Sequence, residues 1–156
     1  MRAPRNIVLR TWYGAEAAVD IRDRAWHRAG FRGFLLLHPP LFNWLLRRGL
    51  PFVVYRKLGV LHEFGHLQAA PAVLVYLLAG LWSLQRLGML NPLNGALFLL
   101  GSHLLWELAA ETYVRWRTGA YYPQAYRNVS LWPRRLFFSG NAFLFVGSWA
   151  AVIWRG

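Results

Sequence analysis

The stretch LGVLHEFGHLQAAPAVLVYLLAGLWSL, residues 58–84, decides the fold. Its first third sets His62, Glu63 and His66 among apolar residues; its last two thirds are almost wholly apolar. From position 68 onward it can cross most of a bilayer as a helix, with Pro71 read as a kink that membrane helices tolerate. A turn-rich connection, QRLGMLNP at 85–92, follows it. Beyond that connection a second apolar run covers 93–114 and a third covers 136–154, each close to the ~20 residues a span needs. The loop between them, 115–135, is basic and broken by Gly119, Pro123 and Pro133.

Composition agrees with a membrane reading. Hydrophobic residues make up 56% of the 156 and charged residues 15%, against about 25% charged in an ordinary soluble domain. Lys and Arg number 18 against 6 acids, for a net charge of +12. A chain so basic suits nucleic acid or an anionic membrane face. The apolar runs favour the membrane and exclude nucleic acid as a partner. With no Cys, disulfides and thiolate metal sites are excluded, and a transition metal has only His and carboxylate to bind it.

The N-terminal part reads differently. Residues 1–57 form a basic, interfacial segment, and 58–156 form the membrane helical domain that carries the metal site. The first ten residues are basic but lead into no clean apolar stretch, so no cleavable signal peptide is expected. Over 12–28, Trp12, Ala15, Val19 and Trp26 alternate with Arg22, Asp23, Arg24 and Arg28. That pattern predicts an amphipathic helix lying on the membrane, with His27 on its surface; a solvated helix packed on the rest of the chain is the alternative. Residues 33–55 are apolar but interrupted by Pro39-Pro40, Arg47-Arg48 and Pro51. They predict one or two short segments dipping into the interface, or a kinked span. The expected fold is an all-α integral membrane protein with about three transmembrane helices and interfacial or re-entrant helices in the N-terminal half.

Loop charge gives an orientation. Residues 1–57 hold eleven Lys and Arg and the 115–135 loop holds five, while 85–92 and the C-terminal tail hold one each. Three spans put the two rich segments on one side, which the positive-inside rule makes cytoplasmic. The expected location is a bacterial or archaeal inner membrane, with the N-terminus and metal site toward the cytoplasm.

His62-Glu63-Phe64-Gly65-His66 is an H-E-x-x-H pattern. A helix puts His62 and His66 on one face, where two neutral imidazoles bind zinc, and Glu63 takes a proton from the metal-bound water. Only three acids lie beyond Asp23: Glu63, Glu107 and Glu111. Acids are costly in a membrane and are kept there for function. Folding the first two spans as an antiparallel hairpin about Gly88 puts Glu107 and Glu111 at the depth of the His pair. His103, Glu107 and Glu111 share a helix face at i, i+4 and i+8. A third zinc ligand is required, and either Glu can supply it. Pairing of these acids with Arg115 or with arginines of the N-terminal segment is the alternative.

Glu107-Leu108-Ala109-Ala110-Glu111 resembles the E-x-x-A-D element of the membrane gluzincins, such as the HtpX heat-shock protease and the type I CAAX prenyl protease. The stretch ending Arg117-Thr118-Gly119 is also similar. The resemblance covers 58–119, with Glu111 in place of Asp and a chain about half the usual length. It implies a cytoplasm-facing zinc site with His62, His66 and Glu107 as ligands and Glu63 as base. Asn91-Pro92-Leu93-Asn94-Gly95 is only loosely similar to a site-2 protease element, since Asn94 stands where that family has its ligand Asp.

Other residues enter with secondary roles. Glu111, His103 and His38 are candidates for an additional ligand or for supporting hydrogen bonds. Tyr121 and Tyr122 are candidates to stabilise an oxyanion or to anchor the interface. Asn141 is expected to bond across helices. The leading function is a zinc metallopeptidase, one Zn²⁺ per chain, acting on a peptide or membrane-protein substrate at the cytoplasmic membrane face. The rivals are a di-metal His and Glu enzyme holding iron, and a non-catalytic membrane subunit with a structural metal or a buried ion pair. A homo-oligomer or a partner subunit is expected to complete the substrate cleft.

Overall fold

The structure is a computed structural model that describes residues 7–154. The basic residues at positions 2, 5 and 155 lie outside the described residues, as does most of the stretch read for a signal peptide. Four strands come first: β1 Ile7–Arg10, β2 Glu16–Ile21, β3 His27–Phe31 and β4 Phe34–His38. They form one antiparallel sheet in the order β1-β2-β3-β4. Five helices follow: α1 Leu41–Leu46, α2 Phe52–Arg86, α3 Pro92–Thr118, α4 Tyr121–Ala125 and α5 Trp132–Trp154. The fold is therefore not all-α, and the expected surface helix over 12–28 is two strands and their turns.

Turn chemistry explains the sheet. Gly14 and Gly33 adopt φ of +88° and +90°, which only glycine takes without strain, and each closes a hairpin. Arg32-Gly33 is a two-residue loop between Phe31 and Phe34, the tightest antiparallel connection. Between β2 and β3 the Asp23 side chain accepts from the backbone N–H of Ala25 and Trp26, an Asx turn. The helical reading failed on β2. Ala17 to Ile21 are all buried, so the strand shows no alternation of apolar and polar residues.

The broken stretch 33–55 contains β4, the six-residue α1 and the first turn of α2, which begins at Phe52 rather than near 58. Three helices, α2, α3 and α5, are long and apolar enough to cross a membrane, so the chain is a membrane protein by its helices. Gly88, with φ of +68°, sits in the turn between α2 and α3 that the sequence placed there. Asn91 caps α3 by accepting from the Asn94 N–H at 2.9 Å, with Pro92 in the first turn.

Two apolar clusters hold the fold. Val19 and Ile21 of β2 pack with Tyr55, Leu58 and Val60 of α2, Val114 of α3, and Tyr122 and Tyr126. Sheet and helices thus share one core. Leu84, Phe98 and Val152 form a second cluster at the far end of the spans. Between them α2 and α3 approach closely. A Cβ on Gly65 would lie 2.8 Å from the Ala110 carbonyl oxygen and 2.9 Å from its Cα. Glycine is the residue that allows that approach, as at other small-residue helix contacts in membranes.

Pro71 removes the N–H that would bond Leu67, and its ring disturbs the turn below. The freed Leu67 carbonyl and its two neighbours accept from side chains. The Tyr13 hydroxyl donates to Leu67 O at 2.7 Å, Trp12 Nε1–H to Gln68 O at 2.9 Å, and Trp106 Nε1–H to His66 O at 2.8 Å. The β1–β2 hairpin is thereby fastened to α2 just beyond the H-E-x-x-H motif.

Candidate metal centre

One face of α2 presents His62 and His66, and the antiparallel α3 presents Glu107 opposite them. His62 Nε2 lies 3.1 Å from Glu107 Oε2, and His66 Nε2 lies 3.5 Å from Glu107 Oε1. One ligand atom from each of His62, His66 and Glu107 lies within 4.8 Å of the others. Ligands about a tetrahedral zinc-like ion, with bonds of ~2.0–2.1 Å, stand about 3.3 Å apart. The three side chains therefore fit one metal ion with little movement.

Glu111 is not at the ligand position. Its Oε2 lies 2.9 Å from His62 Nδ1 and accepts from Arg47 at 2.7 Å, while its Oε1 accepts from the Tyr122 hydroxyl. Arg47 and Glu111 are both fully buried. A carboxylate on Nδ1 fixes the imidazole tautomer and leaves the Nε2 lone pair for a metal. His66 Nδ1 has no such partner among the described residues. Its ring is held by edge contacts with His62 and Trp106, at centroid distances of 4.8 and 5.1 Å.

Glu63 is held more firmly than the motif alone suggests. Oε1 lies 2.8 Å from His27 Nδ1 and accepts from Asn43 Nδ2 at 2.9 Å; Oε2 lies 3.3 Å from His38 Nε2. His27 is fully buried and its other nitrogen meets the Tyr55 hydroxyl at 2.9 Å. His27 is thus no surface residue. Cross-strand pairing sets it beside His38 in the β3–β4 ladder, so the two flank one carboxylate. Oε1 is saturated by two donors, which leaves Oε2 as the oxygen able to take up a proton.

The remaining candidates divide. His38 and His103 both line the cavity over the centre, and His103 Nε2 is 3.8 Å from Glu107 Oε1. Tyr122 donates to Glu111 and is not turned toward the cavity, and Tyr121 stacks against Lys57. Neither tyrosine is placed to meet an oxyanion. Asn141 bonds the Phe137 carbonyl of its own helix rather than a neighbouring helix. The sequence reading did not single out Asn43, Arg47 or Tyr55. Arg47 was named only as an interruption of an apolar run, yet its pair with Glu111 is of the kind held open as the alternative, an acid paired with an arginine of the N-terminal segment.

The cavity has a volume of about 520 Å³. Its walls are apolar, including Phe31, Phe34, Leu36, Leu41 and Trp106, and its polar groups are those of the centre. This is the usual character of a small-ligand or substrate site.

His38 offers a test of the network. Its hydrogen bond to Glu63 raises its pKa above the ordinary imidazole value, against the opposing effect of burial. A raised folded-state pKa stabilises fully below the unfolded value of about 6.5, and that stability is lost as pH rises through the folded value. The unfolding temperature of the wild type should therefore hold level in this respect below about pH 6.5 and fall as pH rises above it, and His38→Asn should flatten that fall. An unchanged slope in the variant would remove His38 from the Glu63 network.

Compared with family models, with curated proteins and with solved structures, the chain matches none.

Proposed function

We propose that this chain is a membrane zinc metallopeptidase. The observation that carries the proposal is the convergence of His62, His66 and Glu107 on one point, with the Glu63 carboxylate fixed on the adjoining turn beneath an open cavity. A zinc ion held there would polarise a carbonyl and lower the pKa of a bound water. His62 and His66 offer neutral nitrogens, and Glu107 offers the carboxylate that completes a His₂Glu set. Glu63 accepts the proton at Oε2 and returns it to the leaving amine; His27 and Asn43 keep its Oε1 in place. Zinc is preferred to iron because a His₂Glu set with a neighbouring base is a hydrolytic arrangement. The resemblance to the membrane gluzincins, which rests on H-E-x-x-H and E-x-x-A-E alone, points the same way.

A peptide substrate is supported by β4. It is an edge strand, and residues of it line the cavity. An extended chain can pair with its free backbone groups. The loop-charge bias supports a cytoplasmic position for the sheet and the centre, since eleven and five basic residues precede and follow the first two spans.

A second reading has one observation in its favour. His62 is engaged on both ring nitrogens, by Glu107 and by Glu111, so His62 itself needs no metal, which suits a non-catalytic membrane subunit held by buried ion pairs.

Metal analysis of the detergent-purified protein separates the two. One zinc per chain is expected in the wild type, with loss in His62→Ala and Glu107→Ala. Glu111→Gln should weaken binding by roughly 10- to 100-fold. Glu63→Gln should keep the metal and lose at least about 100-fold in peptide cleavage, read by mass spectrometry on a mixed peptide library. Absence of stoichiometric metal, with no uptake on zinc titration, sinks the metallopeptidase reading. Cleavage undiminished in Glu63→Gln removes Glu63 as the base.

A further inference from the structure

We propose that the hairpin ends of the sheet, at Trp12–Tyr13 and at Phe31–Phe34, are seated in one leaflet of the bilayer, so that the cavity over the metal centre meets the acyl chains. The inference rests on the depth of the helices and is independent of the peptidase reading.

Helix α5 sets the depth. After Arg134 and Arg135 it carries no charge to its end at Trp154. Those 19 residues from Leu136 measure about 28 Å, close to the ~30 Å hydrocarbon thickness. One hydrocarbon boundary therefore lies near Leu136. Close contacts transfer that level to the other helices. Gly101 of α3 faces Ser148 of α5, and Gly65 of α2 faces Ala110 of α3. Counting along the antiparallel pairs, Leu136 is level with Tyr113, and Tyr113 with His62. Measured instead from Arg86 at the far end of α2, about 30 Å of helix ends at His66. The boundary falls between His62 and His66.

The sheet runs alongside this part of α2. Ile21, at one end of β2, meets Gly59, outside the boundary. The β1–β2 hairpin meets Leu67 and Gln68 through Tyr13 and Trp12. Gln68 is two to six residues inside the boundary, or about 3–9 Å at the helical rise. Interfacial elements insert to about 5–10 Å. The β3–β4 hairpin lies at the same end, since Phe31 pairs with Ala17 and with Phe34. The opposite turn, 22–26, points away from the membrane.

The residue types at that end suit a leaflet and not water. Trp12 and Phe34 are 73% and 66% exposed, and Phe31 is also exposed. Arg10 and Arg32 flank them, with Arg32 paired to Glu16 at 2.6 Å. Trp and Tyr with basic neighbours suit the zone between headgroups and acyl chains; this end adds exposed Phe31 and Phe34, whereas the turn 22–26 has one exposed aromatic, Trp26, among Arg22, Asp23 and Arg24. Phe31, Phe34 and Leu36 also form a wall of the cavity. A molecule in that leaflet therefore reaches the centre without passing through bulk water.

The chain has no Cys, which makes site-directed labelling direct. Single variants Trp12→Cys, Phe34→Cys and Ala25→Cys, each spin-labelled and reconstituted in vesicles of phosphatidylcholine and phosphatidylglycerol, report local exposure to oxygen and to a water-soluble nickel chelate. Labels at 12 and 34 should collide with oxygen in preference to nickel, and the label at 25 should do the reverse. Nickel-dominated collision at 12 and 34 overturns the proposal. Spin–spin broadening at 34 that persists at high lipid dilution also overturns it, by showing that a second copy covers this face.

Discussion

Arg47→Met should destabilise the protein by about 3–5 kcal/mol, the usual consequence of removing one partner from a buried ion pair. Both charges are withdrawn from solvent, and the Arg47–Glu111 contact is 2.7 Å. Loss of the guanidinium leaves a buried carboxylate whose remaining contacts are the Tyr122 hydroxyl and His62 Nδ1. The damage should extend to the metal centre, because an unbalanced Glu111 draws His62 toward itself and away from Glu107. Thermal unfolding in detergent and zinc titration both read this. Glu111→Gln in the same chain should restore a large part of the stability, since the uncompensated charge is gone, while zinc affinity stays low. If Arg47→Met unfolds and binds zinc as the wild type does, the pair has no part in holding the site.

Gly65→Ala should have the second largest effect. A methyl group at 65 would overlap the backbone of Ala110, at 2.8 Å from its oxygen and 2.9 Å from its Cα. Backbone cannot swing aside as a flexible side chain does, so α2 and α3 must separate. Overpacking of this kind costs about 1–3 kcal/mol. The effect on the metal should exceed the effect on folding, because His62 and His66 flank Gly65 on α2 while Glu107 sits on the helix it pushes away. A displacement of about 1 Å should reduce zinc affinity by roughly 100-fold. Gly140→Ala, where an added Cβ meets nothing within 4 Å, is the matched control and should leave both properties unchanged. Equal zinc affinity in Gly65→Ala and Gly140→Ala would refute this account of the helix contact.

The spans and the convergence of the polar residues were legible in the sequence because hydropathy and helical depth are local, additive quantities. Counting residues from Gly88 was enough to put Glu107 and Glu111 opposite His62 and His66. It could not assign their roles, since that depends on Arg47 and Tyr122, which approach Glu111 from outside the hairpin. The sheet was not legible for a different reason. One of its two inner strands, β2, is buried from Ala17 to Ile21, and the sheet's signal lay in two glycines, Gly14 and Gly33, whose positive φ closes the hairpins. Without the β3–β4 pairing, His27 had no reason to be grouped with His38, and neither had reason to be grouped with Glu63. Tyr55 followed the same pattern, because its partner is His27 of the sheet, and Asn43 because α1 brings it to Glu63 across 20 residues.

The shared core has a consequence for biosynthesis. Val19 and Ile21 leave the ribosome about 100 residues ahead of Val114, Tyr122 and Tyr126, against which they pack. Until α3 has entered the membrane and α4 has formed, β2 has no complete surface to cover it. The strands that are synthesised first are thus buried last, and a nascent chain must shield them through the insertion of two helices.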